Sequence, residues 1–343
     1  MESAVRFWDP PTLCLKEFCN VDVLEWLLNS DPAIRWQVLQ DLRHAPAEQV
    51  AAERSRVAEQ GWGARLLLLQ KDTGQWESGL PTFESERAAR WWHSLPQERK
   101  GTLFPEWTST TWSLNLLRSF GLDPASAGAG RAVRLVAAGC RWEHDGEAYF
   151  AGEVEPCING RLLATGAYFG LDMSSVADRL LSEQMSDGGW NCEQENGSRR
   201  GSFNTTIEVL EGLLEFELAQ GPSAEVKAAR QRGQEYLLER RMMRRLSTGA
   251  VIDATWTQFS FPTYWHYDVL RGLDYLRAAD VASDVRLSEA LDLVEAKRGL
   301  DGRWALENPH PGRLNFPIDD GPGLPSRWNT LRAMRVLGWA GRL

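Results

Sequence analysis

Cys157, Cys192 and His266 are three soft-metal side chains placed 35 and 74 residues apart in this 343-residue sequence. Two thiolates and one imidazole at a common point bind zinc, and an incomplete protein set leaves a position for water or substrate. The spacing is far outside any local finger motif, so only a fold that gathers distant segments joins them. Glu155, Asp268 and Asp253 are candidates for a fourth ligand or for an outer partner of the imidazole. Asp268, Asp253 and Tyr267 are also the candidate catalytic groups beside such a centre. The plainer reading of the same residues is a small buried thiol and a hydrogen-bonded core histidine.

Two further sets carry binding chemistry. Arg199 and Arg200 stand just before a helix starting near Phe203, and guanidinium forks beside free helix N–H groups suit a diphosphate or carboxylate. A solvated loop pair is the alternative. Trp107, Trp112, Tyr168, Phe203, Tyr264, Trp265, Tyr267 and Trp328 fall near expected helix beginnings. As a set they read as the wall of an apolar cavity, where π faces stabilise cations; singly, each suits core packing. The basic run 240–245 reads as the charged end of an outer helix.

The elements that position these residues follow from one repeated corner. A helix ending in Gln184 meets Asp187-Gly188-Gly189-Trp190, where glycine allows a sharp reversal and the indole folds back on the preceding helix. The same grammar stands at Gln70 to Trp76 and at Asp301-Gly302-Arg303-Trp304, with fainter echoes at Asp145-Gly146 and Ser247-Thr248-Gly249. Helix starts are expected near Trp107 (108–120), Cys157 (158–169), Phe203 (204–217), Thr263 (264–276) and Ser326 (327–339), separated by 50, 46, 60 and 63 residues. These are apolar over much of their circumference and read as inner helices. Their partners, 127–138, 174–185, 224–246 and 285–297, carry a polar face and read as outer helices. Upstream, Asp31-Pro32 is an N-cap followed by proline at the first helical position, and 59–69 is a further helix. Residues 77–106 read as a long aromatic loop holding Trp91, Trp92 and His93. A repeat at this period means a stack or ring of helical hairpins, and in a ring all inner-helix beginnings share one end.

Composition narrows the classes. A formal charge of −9 with a pI near 5.3 argues against nucleic acid as the main partner. No twenty-residue apolar run exists, and Met1 to Arg6 lack the apolar core of a signal peptide, so a cytoplasmic protein is expected. Five cysteines (Cys14, Cys19, Cys140, Cys157, Cys192) are an odd number, which favours free thiols or ligands over a disulfide framework.

The glutamine–tryptophan corner resembles the repeat of squalene and hopene cyclases, and the helix alternation resembles both those enzymes and the β subunits of protein prenyltransferases. The segments Asp31-Pro32-Ala33-Ile34-Arg35-Trp36-Gln37, Glu155-Pro156-Cys157-Ile158-Asn159-Gly160 and Pro325-Ser326-Arg327-Trp328-Asn329-Thr330-Leu331 look like a compact bacterial squalene-cyclase-like group. The resemblance implies an all-α fold, an (α/α) toroid over 61–343 with N-terminal helices 1–60 packed on it. It implies a cyclase or transferase acting on an isoprenoid or other apolar small molecule, with zinc as Lewis acid. A zinc enzyme of another reaction type and a non-catalytic lipid- or peptide-binding toroid are the alternatives. Prenyltransferases carry a zinc histidine near an inner-helix start, as at His266, and hold the lipid diphosphate with basic residues in the loop matching Arg199 and Arg200. Their Asp-x-Cys pair would fall at 204–206, where no such ligands stand, so the metal set differs. The nearest match to the Asp-x-Asp-Asp acid of these cyclases is Pro317-Ile318-Asp319-Asp320, with proline in the leading place, which argues against ordinary proton-initiated cyclisation. Asp319-Asp320-Gly321-Pro322-Gly323 supplies no aspartate-rich magnesium motif.

Overall fold

The first inner helix begins as its residues dictate. In the computed structural model, which describes residues 23–76, 90, 107–142 and 146–343, Asp31 is the N-cap of α1 (Pro32–Asp41). Its Oδ1 accepts from the Ala33 N–H at 2.9 Å, and Pro32 occupies the first turn, where a missing N–H costs nothing. The other carboxylate oxygen accepts from the Trp62 N–H at 2.8 Å, tying the start of α3 (Gly61–Leu68) to α1, with α2 (Ala47–Ser55) between them in sequence.

The remaining helices are α4 (Thr110–Phe120), α5 (Ala127–Gly139), α6 (Pro156–Tyr168), α7 (Ser174–Ser182), α8 (Phe203–Gln220), α9 (Ala224–Glu239), α10 (Val269–Ala278), α11 (Ser288–Ala296) and α12 (Arg327–Trp339). Helices α4, α6, α8, α10 and α12 pack each on the next, and α1 touches both α12 and α4, which closes the ring. Trp36 and Gln37 of α1 donate to the Phe120 and Ser119 carbonyls at the end of α4, at 2.8 and 3.2 Å. On the other side Arg335 of α12 donates to Gln37 Oε1 at 3.0 Å. Outside this ring, α3 lies against α1 and α4, α7 and α9 against α8, and α11 against α10 and α12. The protein is an all-α toroid. Among the described residues the β pairing amounts to three isolated bridges, and no helix is long and apolar enough to cross a membrane.

The corners hold as the sequence predicts, and with a regularity it did not announce. Trp76, Trp190 and Trp304 are fully buried, and each indole N–H donates at 2.7 Å to the carbonyl ten residues earlier, of Leu66, Leu180 and Val294. Each backbone N–H of the three donates to a threonine hydroxyl on the next inner helix: Thr110 at 3.3 Å, Thr206 and Thr330 at 3.0 Å. Gln70 and Gln184 fork their amide N–H groups between the turn (Gly74 and Gly188 carbonyls) and the next outer helix (Ala132 and Ala229 carbonyls). In the third copy Arg298 takes that place, its guanidinium 5.7 Å over the Trp304 ring. The three tryptophans are 114 residues apart in both intervals. Gly188 has φ +85° and passes so close to α9 that a β-carbon would stand 2.5 Å from the Arg232 carbonyl oxygen.

Two departures matter for the site. Helix α10 starts at Val269, not at Tyr264, because Asp268 caps it, accepting from the Arg271 N–H at 2.7 Å. Residues 261–267 are left as loop across the end of the ring. Helix α9 stops at Glu239, with Arg241 and Met242 at positive φ, so the basic run lies just beyond its end. Residues 77–89 and 91–106, including Trp91, Trp92 and His93, as well as Cys14, Cys19 and Asp145, lie outside the described residues.

Replacing a corner indole removes a large buried group and leaves a cavity. Trp190→Ala is expected to cost about 3–5 kcal/mol in urea unfolding, with Trp76→Ala and Trp304→Ala in the same range. A loss under about 1 kcal/mol, the size of an ordinary surface change, would contradict the corner's structural role.

Candidate functional site

Because the inner helices run in one sense, their beginnings share one end of the ring, and aromatic side chains meet there. The Trp107 and Tyr264 rings stack at 3.9 Å, and Trp112 meets both edge-on, at 5.0 and 5.3 Å. Beside them the Trp265, His266 and His310 rings stack in sequence, each 3.6 Å from the next. Trp112 and Tyr264 are buried, whereas Trp107, Trp265, His266 and His310 remain half-buried. Tyr264 holds a left-handed backbone, φ +49°, which a non-glycine residue adopts at some cost. Its carbonyl is gripped by Arg271 Nη1 at 3.0 Å and Arg161 Nη2 at 3.4 Å.

Those two arginines belong to a charge cluster beneath the aromatic layer. Helices α6 and α8 approach so closely that a β-carbon on Gly160 would lie 2.6 Å from the Glu208 backbone, and this brings Arg161 against Glu208. Glu208 also accepts from Arg271 Nη2 at 2.8 Å, and Glu211 takes the same nitrogen at 2.6 Å and Arg271 Nε at 2.8 Å. Arg161, Glu208 and Arg271 are each at most 5% exposed. The Arg161 guanidinium lies 3.8 Å over the Trp112 ring. Further along the axis, Arg332 lies 3.9 Å from Asp268 and 3.6 Å from Asp274, Arg335 pairs with Asp274 and Asp41, and Arg118 of α4 reaches Glu215 of α8 at 2.8 Å. Among the described residues the inner helices are therefore joined to one another by ion pairs as well as by apolar contact.

Cys157 and Cys192 do meet. Cys157 follows Pro156 at the start of α6, and its thiol donates to Glu155 Oε2 at 3.4 Å; Cys192 lies 3.3 Å from the Thr205 hydroxyl of α8. The hydrogen bond from Cys192, burial and the Glu155 charge together push the Cys157 thiol well above its ordinary range. Glu155, Cys157 and Cys192 place one ligand atom each within 4.8 Å of one another, and His266 is not part of that group. His266 precedes α10 in the loop and lies between the Trp265 and His310 rings instead. Sequence reasoning passed over His310, which sits in a proline-flanked loop without periodic signal. Its Nε2 is 3.1 Å from the Ser260 hydroxyl, itself 3.3 Å from Asp268 Oδ2. Burial raises the Asp268 carboxyl above its ordinary range, opposed by Arg332.

Other expected residues lie elsewhere. Asp253 is exposed and caps a short turn, where its Oδ1 accepts from the Thr255 N–H and hydroxyl. Tyr267 is buried with its hydroxyl donated to the Met242 carbonyl at 2.7 Å, and Phe203 packs against it, Tyr236 and Trp256, so both rings are core and not cavity wall. Tyr168 ends α6 at the opposite pole, bridging Arg54 and the Leu122 carbonyl. Trp328 is buried against Phe261, Trp62 and Phe120. Arg199 and Arg200 are exposed on the loop that follows Cys192. Asp319 accepts from the Ser326 hydroxyl at 2.7 Å and the Arg327 N–H at 3.1 Å, and burial raises it to about 7, so it retains a proton longer than a free carboxylate.

No protein-family model and no curated protein matches the chain. Matching solved structures include the apo type II terpene cyclase MstE from Scytonema, at 15% identity and TM-score 0.37, over 87% of this chain and 100% of that one. A variant of the same enzyme in complex with geranylgeranyl dihydroxybenzoate, its substrate, matches at 15% identity and TM-score 0.37, over 85% of this chain and 98% of that one.

The stacked imidazoles make the site acid-sensitive. Burial lowers His266 to about 3, helped by the neighbouring His310, Arg271 and Arg161, and burial with Arg271 lowers His310 to about 4. Both stay neutral in the fold while the unfolded chain takes up protons below about pH 6.5, so their stabilisation is complete above that pH and fades as it falls towards 4. Between pH 7 and pH 4.5 urea unfolding should lose up to about 5 kcal/mol through this pair, about 2.5 for each histidine, and His310→Gln should roughly halve the slope. An identical slope in the variant would contradict the assignment.

Proposed function

We propose that the protein is an enzyme working at the mouth of the ring on an isoprenoid or comparably apolar small molecule, laid across the Trp107–Tyr264 layer. The observation that carries this reading is the presence there of broad aromatic faces with the partly buried titratable groups Cys157, Cys192, His266 and His310 and the fully buried Asp268. Burying an apolar chain on those faces yields about 25 cal/mol per Å², and the same faces favour a developing cation. Fixed charges beneath, as in the Arg161–Glu208–Arg271 cluster, supply an electrostatic environment already organised before substrate arrives. The cluster also sets the depth of binding. A chain threaded down the axis would strand one of these charges, at about 3–5 kcal/mol, so the substrate lies across the mouth. Arg199 and Arg200 are the cations proposed to hold an anionic head group.

A second reading, an enzyme of another reaction type, is favoured by the Asp268–Ser260–His310 chain of contacts, which is suited to moving a proton at a polar substrate.

Titration of the tryptophan fluorescence with geranylgeraniol and with geranylgeranyl diphosphate separates these readings. Both ligands are expected to bind, Trp107→Ala to weaken both by about 10-fold or more, and the double variant Arg199→Ala, Arg200→Ala to weaken only the diphosphate. Absence of binding by either ligand, or binding indifferent to Trp107→Ala, would remove the isoprenoid reading.

A further inference from the structure

We propose that Glu155, Cys157 and Cys192 form a zinc site with one open coordination position. The inference stands on the ligand atoms alone and holds whichever substrate the mouth receives. The three atoms lie within 4.8 Å of one another although Cys157 and Cys192 are 35 residues apart. A tetrahedral zinc with Zn–S of about 2.3 Å and Zn–O of about 2.0–2.2 Å sets its ligand atoms about 3.5–3.8 Å apart, so closure on the ion needs only about 1 Å of side-chain movement.

Both cysteines are anchored where a ligand must be. Glu155 is the N-cap residue of α6 and Cys157 follows it within the first turn, behind Pro156, which fixes the backbone between the two ligands. Cys192 is held from α8: its N–H donates to the Thr205 hydroxyl at 3.4 Å, and its sulfur lies 3.3 Å from the same oxygen. The metal thus joins the start of one inner helix to the loop that enters the next. Two sulfurs and one carboxylate oxygen suit a borderline-soft divalent ion better than magnesium or calcium, which prefer oxygen alone. Binding releases the two thiol protons, and the complex of one dication, two thiolates and one carboxylate carries a net single negative charge. Arg161, one turn along α6 and paired with Glu208, lies within electrostatic reach of the Cys157 thiol. His266 places no nitrogen in that group of ligand atoms.

The test is metal uptake by the full chain, reduced and purified without a metal column. Dialysis against Zn²⁺ followed by elemental analysis should give one zinc per chain, and Co²⁺ in its place should give thiolate-to-cobalt charge-transfer bands. Cys157→Ser and Cys192→Ser should each weaken those bands by at least half and lower zinc affinity by more than the about 10–100-fold that loss of an outer partner costs, and the double variant should abolish the bands. Glu155→Gln, the mildest change and the safeguard should a serine variant fold poorly by circular dichroism, should keep the bands but weaken affinity by about 10–100-fold. His266→Ala should leave both readouts unchanged. No stoichiometric uptake, uptake that survives loss of both cysteines, or dependence on His266 equal to that on the cysteines would overturn the proposal. So would a Cys157–Cys192 disulfide in protein that takes up no zinc once reduced.

Discussion

The ring depends on pairing charges that have been taken out of water. Arg161 of α6, Glu208 and Glu211 of α8 and Arg271 of α10 form one cluster, and Asp268 and Asp274 of α10, Arg332 and Arg335 of α12 and Asp41 of α1 form the next. Each unpaired ion at such depth costs several kcal/mol, so every inner helix must present its charged residue at the rotation where the neighbour's opposite charge waits. That demand fixes the phase of one helix against the next more sharply than apolar contact does, since apolar contact tolerates small rotations. The corner tryptophans act on the other axis of freedom, clamping each outer helix to the following inner one through the carbonyl ten residues back.

The site inherits its geometry from that pairing. Arg271 is held by two glutamates, and its remaining nitrogen, Nη1, donates to both the Tyr264 and His266 carbonyls, which keeps the 261–267 loop across the mouth and Tyr264 in its left-handed conformation. The aromatic layer thus rests on the charge cluster.

Local chemistry was legible in the sequence wherever it was self-contained. Asp31-Pro32, the Gln–Trp corners and the starts of α4, α6, α8 and α12 depend on residues close in sequence. The meeting of Cys157 with Cys192 followed from direction alone, because a ring gathers inner-helix beginnings. What sequence could not give was which way a side chain faces. Arg161, Glu208 and Arg271 sit at positions that, read singly, look like polar stripes, and nothing local tells a buried pair from a solvated one. The Tyr264 to Tyr267 stretch has helical spacing, yet the Asp268 cap and the arginine-gripped carbonyls override it, which removed His266 from a helix start and from the thiols. Tyr168 failed for a simpler reason: it ends its helix, and ends lie at the other pole.

The dependence on paired charge is tested most directly by a double-mutant cycle on Arg161→Met and Glu208→Gln, read by urea unfolding. The account predicts strong coupling: each single change leaves the buried four-residue cluster with one uncompensated charge, and the double change is less destabilising than the sum by more than about 1 kcal/mol. Additivity within about 0.5 kcal/mol would mean that the two residues act independently, and the ring would then owe its arrangement to apolar packing and the corners alone.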